Sequence, residues 1–495
     1  MALLRPFGPE PITAASITAK MTMAGAMSEY WYSRWLFERA LAAIYLVAFI
    51  VAAQQFVPLL GEHGLEPVGR WVQSVSFAAS PSLFYLRPRD DVFRACAWLG
   101  VALSVFALSS LPQQMGRVTS GVVWASLWLL YLSFVNIGQT FYSFGWETLL
   151  CEVGFFTVFA GTSRMAPNMW LIWIWRWTLF RLMFGAGLIK LRGDPCWRDL
   201  TCLNYYFETQ PMPNPLSWYF HWMPHSIHTV GVVFNHIAEL IVPFAYFARQ
   251  PYASFAGLIT IIFQGVLILS GNLSWLNWLT LVLCIPLISD RWLAWLPIRP
   301  PTDLSIAPAY RTTLYVISAG VALLSIGPLM NMLSPRQMMN ASFEPLHLVN
   351  TYGAFGSITR ERYEIVLEGT DDANVIESTQ WREYEFKAKP GPLRRLGPQV
   401  APYHLRLDWL MWFIPLSPRH AEGWFLRFLM RLLEADPPTL RLIRRSPFGD
   451  ERPRWVRARL FLYRYTSWKQ LRETGAWWQR TFVEELVPQV RLRPQ

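Results

Sequence analysis

Apolar residues come in blocks up to about residue 334, and beyond it charged residues interrupt every short apolar stretch. A bilayer core takes about 20 apolar residues of helix. Blocks of that kind predict nine spans, at 38–60, 92–112, 118–138, 144–161, 168–190, 226–248, 252–271, 273–290 and 311–334, the fourth and eighth being short. Past the last block the period changes. Arg362-Tyr-Glu-Ile-Val-Leu-Glu-Gly and Trp381-Arg-Glu-Tyr-Glu-Phe-Lys alternate apolar and charged positions, the pattern of half-buried strands, with Asp371-Asp372 as the turn between them. After Pro390-Gly391-Pro392 and Pro402 come mixed helical stretches at 405–414, 419–434 and 437–445, then a strand-like run from Arg454. The expected fold is a multi-pass α-helical membrane bundle of about nine spans followed by a β-rich α+β extramembrane domain. Its divisions are a lead at 1–34, a bundle at 35–334 with an outer loop at 191–225, and an exported domain at 335–495.

Composition agrees with a membrane protein. Of 495 residues, 53% are hydrophobic and only 16% charged, against roughly 25% charged in an average soluble protein. The 26 Trp suit a chain with many groups at the membrane–water boundary. A net charge of +11 would point to nucleic acid in a soluble protein, but no recognition motif accompanies it, so no nucleic-acid partner is expected. The excess is Arg at block ends and in the C-terminal third, which suits topology signals and anionic headgroups.

Short loops rich in Lys and Arg stay on the cytosolic side. With the N-terminus inside, the inner face holds Arg5, Lys20, Arg34, Arg39, Arg117, Arg164, Arg249, Arg291, Arg299 and Arg311, while the outer loops hold Arg70, Arg87, Arg89, Arg192 and Arg198. An odd span count then exports residues 335–495. Residues 1–30 have no compact apolar core of the signal-peptide kind, so the lead is expected to be cytosolic.

The chain has no Gly-x-Ser-x-Gly elbow, His-Glu-x-x-His pair, Walker loop or Cys-x-x-Cys. Cys96, Cys151 and Cys284 fall within spans and read as small buried side chains. Cys196 and Cys202 lie in the outer loop, near enough for a turn to bridge them in an oxidising compartment; the competing reading is an exchange-active pair. Ionisable residues inside spans are costly: Glu147 and Glu152, Arg176, Arg181 and Lys190, His236 and Glu239. Arg176 and Lys190 share a helix face to within about 40°. The structural reading pairs these groups inside the bundle, with Lys190 snorkelling to the outer interface; the functional one makes them the wall of a polar cavity open to the outer side. His221, His225 and His228 have a spacing that would let one helix present three imidazoles to a metal, but Pro224 interrupts that helix. No cofactor is expected.

Two long strings bring a family into view: Gln139-Thr-Phe-Tyr-Ser-Phe-Gly-Trp-Glu-Thr-Leu-Leu-Cys-Glu, and Leu191-Arg-Gly-Asp-Pro-Cys-Trp-Arg-Asp-Leu-Thr-Cys-Leu-Asn-Tyr-Tyr-Phe-Glu-Thr-Gln-Pro-Met-Pro-Asn-Pro. With Asn350-Thr-Tyr-Gly-Ala-Phe-Gly-Ser-Ile-Thr and Pro402-Tyr-His-Leu-Arg-Leu-Asp-Trp, they resemble the lipase maturation factor family from about residue 30 to the end. The resemblance implies a chaperone-like membrane protein that helps secreted lipases reach their active form, with client binding in the exported region. It also implies the endoplasmic reticulum membrane as in animals, or the plasma (inner) membrane if the short lead and Arg-rich composition mark a bacterial chain. Tyr352, Phe355, Trp381, Tyr403, Trp409 and Trp412 are the candidate client contacts, core packing being their competing role, and membrane lipids are the other expected partners. More weakly, Gly185-Ala-Gly-Leu-Ile-Lys190-Leu resembles part of the transmembrane domain of vitamin K-dependent gamma-carboxylase. That likeness implies an enzyme alternative in which Lys190, with Glu147 and Glu239 nearby, acts as a base on a quinone or lipid.

Overall fold

The computed structural model describes residues 29–305 and 308–492, so most of the expected cytosolic lead lies outside the described residues. Every apolar block is helical: α1 Trp31–Leu60, α2 Asp90–Leu108, α3 Arg117–Ile137, α4 Gly145–Thr157, α5 Met169–Arg192, α6 His225–Phe247, α7 Tyr252–Ser270, α8 Leu276–Leu287 and α9 Pro308–Leu333. Among the described residues, six of these (α1, α2, α3, α6, α7 and α9) are long and apolar enough to cross a membrane. Helix α5 is long but carries Arg176, Arg181 and Lys190, and α4 and α8 are short. Length and composition therefore establish a membrane protein with six candidate crossings among the described residues; they do not by themselves establish the nine expected.

The helices pack through aromatic edges and small residues. Phe56, Phe84, Phe93 and Phe134 meet edge-on in four pairs with ring centroids 4.8–5.0 Å apart. A Cβ at Gly100 of α2 would lie 2.3 Å from the Phe49 ring of α1, so only glycine allows that approach. Trp98, Leu99 and Val105 of α2 instead point outward, as expected of a helix that faces lipid.

Polar contacts sort the loops into two sets. At one end Arg34 donates to the carbonyls of Thr162 and Met165 at 2.7 and 2.8 Å, Arg39 to Gln113 at 2.6 Å, and Trp31 to the Ser163 carbonyl at 2.8 Å. These are the loops assigned to the inner face by their Arg content. At the other end the C-terminal domain touches the loops assigned outside. Arg431 donates to the His63 carbonyl, Arg406 to that of Phe141, Arg362 to that of Pro211, and the Asn272 amide to that of Pro398, all within 2.6–3.1 Å.

That domain holds a two-residue ladder, β1 Ala341–Ser342 with β2 Asn350–Thr351, and a four-stranded antiparallel sheet in the order β4-β3-β5-β6. Its strands are β3 Arg362–Thr370, β4 Arg382–Glu383, β5 Trp455–Tyr465 and β6 Trp478–Val490. Strand β3 is buried nearly throughout and pairs with β5 from Arg362↔Tyr463 to Thr370↔Trp455. The strand expected from Trp381 shrinks to two residues, and β6 is an addition to the expected plan. Helix α10 (Arg406–Phe413) matches its expected stretch, whereas 419–434 holds only α11 (Phe425–Leu433) behind a 3₁₀ turn, and 437–445 only one turn, Pro437–Leu440. Helix α11 is strongly amphipathic, with Phe428, Leu429 and Leu432 inside and Leu426 and Met430 out.

Candidate functional site

A cavity of about 490 Å³ lies where α4, α5, α7 and α8 meet the C-terminal domain. Most of its wall is apolar or aromatic, including Trp146, Tyr206, Tyr352, Phe355, Trp409 and Trp412. Its main polar groups come from four helices: Lys190 from the last turn of α5, Asn235 and Glu239 from α6, and Gln264 from α7 with Asn277 from α8 facing it. A cation at the carbonyl end of α5 is favoured by the helix dipole. Glu239 sits in a π-helical turn, Ile237–Ile241, the local widening that often accompanies a functional position.

Lys190 Nζ donates to Glu239 Oε1 at 2.6 Å, to Glu239 Oε2 at 2.7 Å and to Asn235 Oδ1 at 2.9 Å, and it lies 5.0 Å from the Trp197 ring centroid. Asn235 Nδ2 completes the cluster by donating to Glu239 Oε2 at 3.0 Å. The ammonium's three protons are all used and the cluster is neutral. Lys190 is 5% exposed: the expected snorkelling does not occur, because a buried carboxylate offers the ammonium a better partner than the interface does.

Glu147 is not part of this cluster. It accepts from Arg406 of α10 at 2.7 Å, from the Trp146 indole at 3.0 Å and from the Tyr131 hydroxyl, so the expected grouping with Lys190 is corrected. The second buried pair of α5 is Arg181 with Glu152, which also binds the Asn350 amide and the Tyr352 hydroxyl. Arg176 stands apart from Lys190 despite the shared face. It donates to the carbonyls of Pro286 and Tyr246 and to the Tyr30 hydroxyl.

The outer loop closes one side of the cavity. Cys196 and Cys202 are joined by a disulfide with Cα atoms 4.8 Å apart. Asp194 receives the Cys196 amide at 2.9 Å and an Arg360 guanidinium N–H at 2.7 Å; the Arg360 hydrogen bond holds its carboxyl below the ordinary range. The Trp197 indole donates to the Phe355 carbonyl at 2.8 Å, and the Asp194 amide to that of Gly356 at 2.8 Å. A Cβ at Gly193 would lie 2.1 Å from that Gly356 oxygen, so this crossing requires glycine. Asp194, Cys196 and Cys202 also form the one group among the described residues with metal-ligand spacing, but the disulfide takes both sulfurs.

The three histidines do not form such a group. His225 and His228 share Asn204 Oδ1 at 2.8 Å each, and His228 also contacts the Phe220 carbonyl. His221 sits on a separate helix, Ser217–His221, and its pKa is pushed down to about 4, first by burial and then by the nearby His228 and Arg464. None of the six candidate client contacts is exposed. Tyr352 and Trp409 are buried at 1% and 3% exposure, because in this domain the large aromatics fill the seam with the bundle. Trp412 donates to the Thr209 carbonyl at 3.0 Å, Tyr403 to Gln54 at 2.8 Å, and Trp381 lies 3.9 Å from the Arg457 guanidinium. The exposed apolar residues of the domain are others, among them Phe482, Val483 and Leu486 on β6, Leu426 and Met430 on α11, and Ile376 and Trp468. Sequence reasoning missed Asn235, Gln264 and Asn277. Their only signal was an amide within an apolar block.

Residues 32–295 match the model of the lipase maturation factor transmembrane domain, and residues 348–488 that of the lipase maturation factor C-terminal domain. The chain is 41% identical to lipase maturation factor 1 of Bos taurus, over 93% of this chain and 89% of the relative. Against lipase maturation factor 1 of Homo sapiens the identity is 38%, over 94% and 90% of the two chains. Against lipase maturation factor 2 of Homo sapiens it is 29%, over 93% and 82%. No solved structure matches the chain.

Proposed function

The chain belongs to the lipase maturation factor family, and from that premise we propose that it is a membrane-embedded, chaperone-like factor for the maturation of secreted lipases. The observation that carries this reading is the occurrence of both family domains, in order, across most of the chain. The finer topology we propose is nine crossings, with α4, α5 and α8 included, the N-terminus cytosolic and residues 335–495 outside. Its support is the sorting of the loops: Arg-rich connections bond one another at one end, and the C-terminal domain sits on the loops of the other. The membrane is that of the endoplasmic reticulum in a eukaryotic cell and the plasma membrane in a bacterial one.

Client contact belongs on the exposed apolar residues of strand β6, since an aromatic that fills a seam cannot also meet a partner. Strand β6 borders β5 on one side and no strand on the other among the described residues, and exposed edges of this kind accept extended segments. No finding favours the carboxylase-like enzyme. The test is to express the full chain with a secreted lipase in cells lacking their own maturation factor, and to measure lipase activity released per mass of lipase. We expect rescue, reduced about tenfold by Phe482→Asp with Leu486→Asp, in keeping with the loss of a small apolar contact patch. Absence of rescue by the unaltered chain overturns the reading.

A further inference from the structure

We propose that the cavity beside Lys190 is a binding site for one uncharged, single-chain lipid, its polar head on Gln264 and Asn277 and its chain along the aromatic wall. Three observations lead there. The first is size and lining: about 490 Å³ falls within the roughly 300–1,000 Å³ in which proteins enclose a small organic molecule. That volume suits a single acyl chain rather than a two-chain phospholipid.

The second is the distribution of charge. Both ionised groups on the wall, Lys190 and Glu239, are spent on each other and on Asn235. A carboxylate or phosphate entering here would find no free cation, and an amine no free acid, so the occupant is neutral.

The third is what remains unsatisfied. Asn277 donates to Gln264 Oε1 at 2.7 Å, but the Gln264 amide nitrogen finds only the Met183 sulfur at 3.5 Å, a poor acceptor. Gln264 is 4% exposed, so a buried amide donor stands at the cavity wall without a strong acceptor. A head with hydroxyl or ester oxygens supplies that acceptor. The inference is independent of the lipase reading.

The test uses purified full-length protein in a maltoside detergent, equilibrium binding of radiolabelled 1-monooleoylglycerol, and competition by unlabelled oleate. We expect saturable binding of about one molecule per chain, with oleate competing only weakly. Ala186→Trp, which fills the cavity, is expected to lower affinity about tenfold or more, and Gln264→Leu about fivefold, the worth of one hydrogen bond. Folding of each variant is checked by its thermal transition and an intact Cys196–Cys202 disulfide. Where Ala186→Trp does not fold, Leu267→Trp on the facing wall replaces it, and Gln264→Leu is read regardless. No saturable binding by the unaltered protein, undiminished binding by a folded plugged variant, unchanged affinity of Gln264→Leu, or oleate competing as well as the monoglyceride would each overturn the proposal. Whether lipase rescue survives in Ala186→Trp is read separately and bears only on the maturation role.

Discussion

At α4 the C-terminal domain meets the bundle through a dry ion pair, whereas at the end of α5 it meets the bundle around a cavity, a disulfide and a partly exposed salt bridge. In the first seam Glu147 and Arg406 are both fully buried, their bond is 2.7 Å long, and the guanidinium lies 3.4 Å from the Tyr142 ring centroid. Phe144, Trp146 and Trp409 pack beside them, with centroids 4.7–6.1 Å apart. In the second seam the bonds are spread over Asp194, Trp197, Phe355 and Arg360, and Arg360 remains 42% exposed. In one seam burial strengthens the attraction between the two charges but makes either charge costly once it is stranded. The other is wetter and can give locally without exposing a lone buried charge.

The largest effect is expected at the dry seam. Arg406→Met strands the Glu147 carboxylate and is predicted to cost about 3–5 kcal/mol, while Glu147→Leu with Arg406→Met together recovers most of it. Thermal unfolding of the purified full-length protein measures both, and a mild single variant would erase the contrast between the seams.

At the open seam the losses should be smaller. Replacing Cys196 and Cys202 by Ser frees a short loop and is predicted to cost at most about 2–3 kcal/mol, while impairing lipase rescue more than that loss suggests, since the bridge shapes the loop over the cavity. Free thiols in protein isolated under alkylation would contradict the bridge.

The smallest effect belongs to Asp194. Its carboxyl is held below the ordinary range first by the Arg360 hydrogen bond. The pair's stabilisation is therefore present above the unfolded carboxyl pKa of about 4 and is lost as pH falls through the lower folded value. With Arg360 part-exposed, Asp194→Asn is expected to cost below about 1 kcal/mol near neutral pH. Its stability curve should lack that acid-limb loss; identical acid limbs would remove the pair from the seam's energetics.

The helical blocks were legible because a span needs a long apolar run and little else. Strand β5 was legible because one face is buried, which imposes period two; β3 is buried on both faces, and its alternation was legible because Arg362, Glu364 and Glu368 are placed in ion pairs between the apolar positions. Strand β6 was not: much of it is exposed, register shifts interrupt its pairing with β5, and Glu484, Glu485 and Pro488 break the alternation. In the site, Lys190 was expected to snorkel to the interface but is buried against Glu239 and Asn235, and Glu147 was grouped with them because its true partner, Arg406, is 259 residues away. Aromatic content in the C-terminal domain suggested a client surface. Most of those residues fill the seam instead, since a residue type alone does not say which side of a domain it faces.

The seat of the C-terminal domain has a consequence for the order of assembly. It is built from four separate connections, near His63, Phe141, Pro211 and Asn272, and the domain that occupies it is synthesised after all of them. Docking can therefore be completed only once every earlier helix has been inserted with its loop on the same side. A chain with one inverted hairpin would present an incomplete seat, taking from Arg406 its Glu147 partner and from Arg362 the Pro211 carbonyl. Full docking of this domain is therefore a structural readout of whether the four connections lie on one side.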